Sequence, residues 1–266
     1  MSRHYSYSIS RLKSKILFGE NEPIFSKLPN NVLANLRHPR SENALLWNLI
    51  YPLAQPTISI SQLLGISPQW GTPMIELVED SLVPYFWGYH ISGERLPGLD
   101  TVLERIDGAG PKTEIDLFLL GENNLVVVEA KHLSGLGQCS RFSKHRCPEI
   151  HQDAIREMEP CRYWERGEQE FAQLLDFGDR PIAGGPSPPC NQHYQLARTL
   201  VIGDVLAKDH HVEFSLWMMV SKTKWRSIEK NWLDFAMRIK GEELWRRMRV
   251  IAWEDIDQLD WKNHGT

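Results

Sequence analysis

The chain has 266 residues, of which 42% are hydrophobic and 24% charged, and a formal net charge of −4. That is the make-up of a globular protein able to bury a substantial core; no apolar run reaches membrane-spanning length, and the N-terminus lacks a signal-peptide pattern. A cytoplasmic protein with no membrane partner is therefore expected, and a nucleic-acid partner would need a local basic groove rather than a basic chain.

Residues 1–40 are polar and without a steady period, and Pro23, Pro29 and Pro39 interrupt any long element. An irregular N-terminal arm with short helical turns is expected. Ser41 to Tyr51 reads as a helix, with Ser41 as its cap, an apolar stripe at Leu45, Leu46, Leu49 and Ile50, and Pro52 at its end. Ile58–Leu64 and Met74–Leu82 read as short helical pieces. Val83–His90 is aromatic and punctuated by turn residues. Thr101–Ile106 alternates well enough for a strand, and Asp107–Gly110 turns it into the next one.

The stretch Thr113 to Lys131 is the most informative in the chain. Two apolar runs, Ile115–Leu120 and Leu125–Ala130, flank Gly121-Glu122-Asn123-Asn124, which predicts a β-hairpin. Runs so continuously hydrophobic belong to strands buried on both faces. Yet the region also carries Glu114, Asp116, Glu129 and Lys131, and buried charges are costly unless paired or metal-bound. Closing the hairpin so that Leu120 faces Leu125 sets Asp116 opposite Glu129 and Glu114 opposite Lys131. A loop one residue longer or shorter would send the two acids to opposite faces. Two adjacent carboxylates repel, and a hard cation such as Mg²⁺ (or Mn²⁺) relieves that repulsion. A cation there could activate water against a phosphodiester, with Lys131 orienting the water or neutralising the phosphate.

After Lys131 comes a basic, loop-like run, Ser140–Arg146, then two helical pieces, His151–Met158 and Pro160–Phe177. Residues 178–190 form a Pro/Gly-rich loop within one domain spanning 1–266. Asn191–Lys208 is a strong helix, and Val212–Val220 a core strand able to run parallel to a hairpin strand because a long helix precedes it. Lys222–Arg226 reads as a basic turn, Ser227–Lys240 and Glu242–Arg247 as helices, Met248–Trp253 as a last strand and Ile256–Trp261 as a helical turn. The fold class is α/β, a central mixed sheet flanked by helices on both faces. All four cysteines, Cys139, Cys147, Cys161 and Cys190, lie in one stretch near His132, His145, His151 and His193. They could remain separate thiols or build a zinc or iron–sulfur site.

Asp116 followed after the hairpin by Glu129-Ala130-Lys131 resembles the motif of the PD-(D/E)XK nuclease superfamily, in an uncharacterised bacterial branch, although Ile115 stands where the motif has Pro. The resemblance implies a restriction-endonuclease-like core and a Mg²⁺-dependent nuclease, with DNA a likelier substrate than RNA. It implies metal ligands at Asp116, Glu129 and the Ala130 carbonyl, with Lys131 activating water. It further implies an acid from a preceding helix, for which Glu42 is the candidate and Glu76, Glu79 and Asp80 are rivals; Glu104, on the expected Thr101–Ile106 strand, could face Glu114 or Asp116 across the turn and join the site. Gln195 on the following helix would hold water or phosphate, Arg198 would grip the strand, and Arg141 and Lys144 would contact phosphates. A homodimer is compatible with the resemblance. A catalytically silent module binding nucleic acid or a protein partner is the alternative, as is a hydrolase of another phosphate-containing substrate.

Overall fold

A computed structural model describes residues 16–38, 42–54, 57–71, 77–108, 110–151, 161, 163–164 and 169–256. The strands are β1 (Ile58–Ser59), β2 (Trp70–Gly71), β3 (Ser81–Phe86), β4 (Leu117–Leu120), β5 (Asn124–Lys131), β6 (Glu213–Val220) and β7 (Arg249–Ala252). They form a mixed seven-stranded sheet in the order β1-β3-β4-β5-β6-β7-β2. β4 runs antiparallel to both of its neighbours, β3 and β5, whereas β5, β6 and β7 run parallel.

The helices before β4 are α1 (Asn30–Leu36), α2 (Asn43–Ile50), α3 (Ile60–Leu64) and α4 (Leu99–Asp107). Those after β5 are α5 (Ser140–Ser143), α6 (Gln169–Leu174), α7 (Pro189–Gln192), α8 (Tyr194–His210), α9 (Lys222–Ala236), α10 (Glu242–Arg246) and α11 (Trp253–Ile256). They cover both faces of the sheet. Leu125 and Val127 of β5 join a core with α4, α8 and α9, while Val126, Val128 and Ala130 join a second core with α1, α2 and α3. This division is the period-two alternation of a strand buried on both sides. All eight residues of α2 are buried, which is why its sequence is apolar nearly all round.

The hairpin register agrees with the sequence, since Leu120 faces Leu125 and the ladder runs back to Leu117 opposite Val128. Asp80 fixes the loop. Its carboxylate accepts from the backbone N–H groups of Glu122, Asn123 and Asn124, at 3.2, 2.8 and 3.0 Å. The expected parallel strand is β6, which pairs with the whole of β5. It is delivered by α8, whose Gly203 lies so close to the sheet that a Cβ would meet the Phe214 ring and stand 3.1 Å from Val127 Cγ2.

Several expectations are corrected. Thr101–Ile106 belongs to α4, not to a strand: Leu99, Val102, Leu103 and Ile106 recur at helical spacing and are all buried. Within Met74–Leu82 the residues from Ser81 begin β3, and Val83–Phe86 continue it rather than forming a loop. Pro84 lies beyond the end of the short β1, at the sheet edge, where a missing N–H is tolerated. Ile58 and Ser59 are strand, and only Ile60–Leu64 is helical. Lys222–Arg226 is the first turn of α9, capped by Ser221, whose hydroxyl accepts from Lys224 N–H at 3.2 Å. The Ser41 cap, Glu76, most of His151–Met158 and most of Ile256–Trp261 lie outside the described residues.

Candidate active site

The end of β5 carries Glu129-Ala130-Lys131. Glu129 has the parity of Leu125 and Val127, so it points to the side covered by α8. It is fully buried, and three side chains satisfy it: Lys131 Nζ donates to Oε1 at 2.7 Å, Gln195 Nε2 donates to the same oxygen, and Thr199 Oγ1 donates to Oε2 at 3.4 Å. Gln195 and Thr199 lie one turn apart on α8, which places both above β5.

Asp116 lies just before β4, one residue beyond the last paired position, and its Oδ2 accepts from the Ala130 N–H at 2.8 Å. Burial pushes its carboxyl well above the usual carboxylate range, and the charge of Glu129 pushes the same way against the pull of Lys131. Lys131 is also buried. Burial alone would lower its pKa, but Glu129 and Asp116 outweigh that and raise it above its ordinary value. The charged ammonium is thereby favoured over the neutral amine.

Glu42 joins this group from the start of α2. Its Oε1 is 3.9 Å from Lys131 Nζ and accepts from Ser134 Oγ, and it adds to the upward push on Asp116. Among the described candidates for an additional acid it is the one next to Lys131. Asp80 is bound to the loop at the far end of the hairpin, about 16 Å along β5 from Glu129 at the usual strand rise. Glu79 accepts from Ser59 Oγ at 2.7 Å, and Glu104 pairs with Lys112 on the outside of α4. Glu114 does not meet Lys131, because the β4–β5 ladder ends at Leu117 and Val128. It accepts from Asn31 Nδ2 at 2.7 Å instead, and burial pushes its carboxyl up against that hydrogen bond. Glu114 also borders a cavity of about 380 Å³ walled by Trp87, Tyr89, Arg95 and Lys112.

Gln195 is held at both ends. Its Oε1 accepts from Gly137 N–H at 2.8 Å, and its backbone N–H donates to the Gly137 carbonyl at 3.2 Å. Arg198 is placed differently from the strand-gripping position expected of it. It is buried, pairs with Asp107 at the end of α4, and lies over the Tyr194 ring at 4.8 Å. Arg141 is half-buried on α5 and Lys144 is exposed just after it. Thr199, Ser134 and Asn31 are additions that sequence reasoning did not name. The four-residue step from Gln195 to Thr199 was the available signal for the first; nothing local marks the other two.

Among the described residues no group of three or more His, Cys, Asp or Glu is disposed to hold a metal ion. No described helix is long and apolar enough to cross a membrane. The family model described as Restriction Endonuclease associating with ARP matches residues 20–263. No curated protein and no solved structure matches the chain at a significant level.

Proposed function

The chain belongs to the family described as restriction endonuclease associating with ARP, and on that basis we propose that it is a metal-dependent nuclease of the PD-(D/E)XK type hydrolysing phosphodiester bonds in DNA. The observation that carries this reading is the convergence of Asp116, Glu129, Lys131 and Glu42 where the hairpin meets α2 and α8. The family match over residues 20–263, and two cores that share one sheet, support reading the chain as one nuclease domain.

The donor types suit a hard divalent cation, and they are supplied by two acids and a carbonyl rather than by a cluster of three acids. The atoms are carboxylate oxygens and a backbone carbonyl, the hard donors such a cation takes, and a bound cation would oppose the burial and the Glu129 charge that raise the Asp116 carboxyl. Asp116, Glu129 and the Ala130 carbonyl would hold Mg²⁺ or Mn²⁺, with Glu42 beside them. When bound, such a cation supplies a Lewis acid for the phosphodiester and lowers the pKa of water.

The remaining chemistry belongs to the chain. Lys131, held charged by Glu129, neutralises the phosphate as negative charge builds on it. The Gln195 amide, fixed by Gly137, keeps Glu129 in place and presents a second polar group to the attacking water. Arg198 braces α8 against α4 through Asp107, whose carboxylate also accepts from Thr113 at the entry to β4. Arg141 and Lys144 stand on the segment that follows the site and would contact phosphates.

Incubating the protein with plasmid, linear single-stranded DNA and RNA, each with Mg²⁺, Mn²⁺ or chelator, tests the proposal. Cleavage of DNA that requires metal and is lost in Asp116→Ala is the expected result. Metal-independent binding without cleavage would replace the proposal with a silent binding module.

A further inference from the structure

The cavity of about 380 Å³ that Glu114 borders lies between α1, the turn after β3, α4 and the segment entering β4. Trp87 and Tyr89 give it aromatic walls, and Asn31, Arg95, Lys112 and Glu114 line it with polar atoms. Its volume falls within the roughly 300–1,000 Å³ of sites that hold small ligands.

Trp87 ties this cavity to Asp116. Its φ is 50°, a conformation that bulky side chains rarely take. Two hydrogen bonds hold it there: its N–H donates to the Asp116 carbonyl at 3.0 Å, and its own carbonyl accepts from Arg95 Nη1 at 3.1 Å. Arg95 also lies over the Tyr89 ring, 4.5 Å from its centroid. Strained backbone persists only where its surroundings over-determine it, and it clusters where ligands are gripped. The aromatic wall, the guanidinium and the Asp116 backbone thus form one unit, and an occupant of the cavity sits beside the carboxylate site.

Charge decides between occupants. Arg95 pairs with Asp100 at 2.8 Å and Lys112 pairs with Glu104, so both cations are already matched. Glu114 adds a further carboxyl, which leaves no surplus positive charge for a phosphate. A wholly apolar occupant would strip water from Glu114 and Asn31 and return nothing. A flat, uncharged ring with hydrogen-bonding edges meets both demands. Asn31 Nδ2 donates to Glu114 Oε2 at 2.7 Å, and Glu114 Oε1 can accept from an amino group on such a ring, as acidic side chains accept from cytosine N4.

We propose that the cavity receives one nucleobase of the bound strand, taken out of its stack and set against Trp87 and Tyr89, with Glu114 reading its edge. The inference rests on DNA being the substrate, and it narrows that substrate to DNA carrying an unpaired nucleotide beside the bond to be cut. Extruding a base costs least where it is already unpaired, so such a site is selected over a continuous duplex.

The test uses the full chain with chelator, so that binding is read apart from cleavage. Fluorescence anisotropy compares a fully paired duplex, the same duplex with one unpaired deoxycytidine, and the same with an abasic residue in its place. The unpaired base should tighten binding at least about tenfold, the scale of one base–aromatic stack, and the abasic residue should cancel the gain. Asn31→Trp puts bulk into the cavity from an exposed position of α1, and it should shrink that ratio towards one. If this variant fails to fold, photocrosslinking of the wild type decides: 5-iododeoxycytidine at the unpaired position should attach to Trp87 or Tyr89, located by tandem mass spectrometry. Equal binding of the three duplexes, or crosslinks only elsewhere, would overturn the proposal. So would deoxycytidine monophosphate that binds in an Asn31→Trp-sensitive way without any preference among the duplexes, which would give the cavity to a free nucleotide. A preference for the unpaired base in a protein that cleaves no DNA with Mg²⁺ or Mn²⁺ would support the base pocket and refute the nuclease reading alone.

Discussion

The Asp116 carboxylate accepts a hydrogen bond from the Ala130 N–H at 2.8 Å, which fastens the acid before β4 to the backbone between Glu129 and Lys131. Asp116→Ala removes both a proposed metal ligand and this tie, and Lys131→Ala removes the fixed cation. Each is expected to lower metal-dependent DNA cleavage at least about a hundredfold, the scale on which a preorganised charge contributes. The circular dichroism spectrum of Asp116→Ala should be unchanged. Cleavage by either variant at the wild-type rate would dismiss the assignment.

Glu129 and Lys131 are a buried pair at 2.7 Å. Breaking such a pair leaves one charge without its partner and costs about 3–5 kcal/mol, more than replacing both members. Lys131→Met should therefore destabilise strongly, and Glu129→Gln with Lys131→Met should recover part of the loss. Urea denaturation of the two singles and the double measures this, and strict additivity would count against a coupled pair.

Gly137 tests the positioning of Gln195 without touching a polar group. A Cβ at Gly137 would stand 2.9 Å from Gln195 Oε1 and 3.3 Å from its Cβ, so Gly137→Ala displaces the carboxamide. A fall in kcat of about tenfold to a hundredfold with little change in KM is expected, in line with the cost of small misplacements. An unaltered kcat would leave Gln195 a purely structural residue.

Asp80 supplies the pH test. Burial pulls its carboxyl upward, but hydrogen bonds from Asn123, Asn124 and Glu122 more than offset this and hold it below its usual value. A lowered pKa gives stability that is present above the unfolded pKa, near 3.8, and is lost as pH falls through the lower native value. Asp80→Ala should cost about 1–3 kcal/mol at pH 7 for the donors left unpaired. Melting curves of wild type and variant should converge below pH 3.8.

Gly203 sits mid-helix, where glycine costs about 1 kcal/mol against alanine. Its use there follows from contact with Phe214 and Val127. Gly203→Ala should therefore destabilise by about 1–3 kcal/mol through overpacking, although helix propensity alone predicts the opposite sign. Thermal unfolding distinguishes the two.

The parts legible in the sequence were those written in a strong local code. The Gly-Glu-Asn-Asn reversal and two apolar runs fixed the parity of β4 and β5, and the long helix before β6 implied a parallel partner. The α4 segment was misread because Val102, Glu104 and Ile106 alternate, although Leu99 begins an i, i+3, i+4, i+7 stripe that a window opening two residues earlier would include. β3 hid behind Pro84, which usually argues against a strand and is tolerated here only by edge position. Contacts such as Ser134 with Glu42, or Arg198 with Asp107, join residues about ninety apart and depend on packing that no local pattern encodes.

Because successive residues of β5 supply two different cores, a one-residue slip of that strand would fail on both sides of the sheet at once. It would push Glu129 among Trp217 and Val128's former neighbours while turning Ala130 towards α8. The strand thus proofreads its own alignment, and a chain that has folded at all has already brought its acids to their intended side.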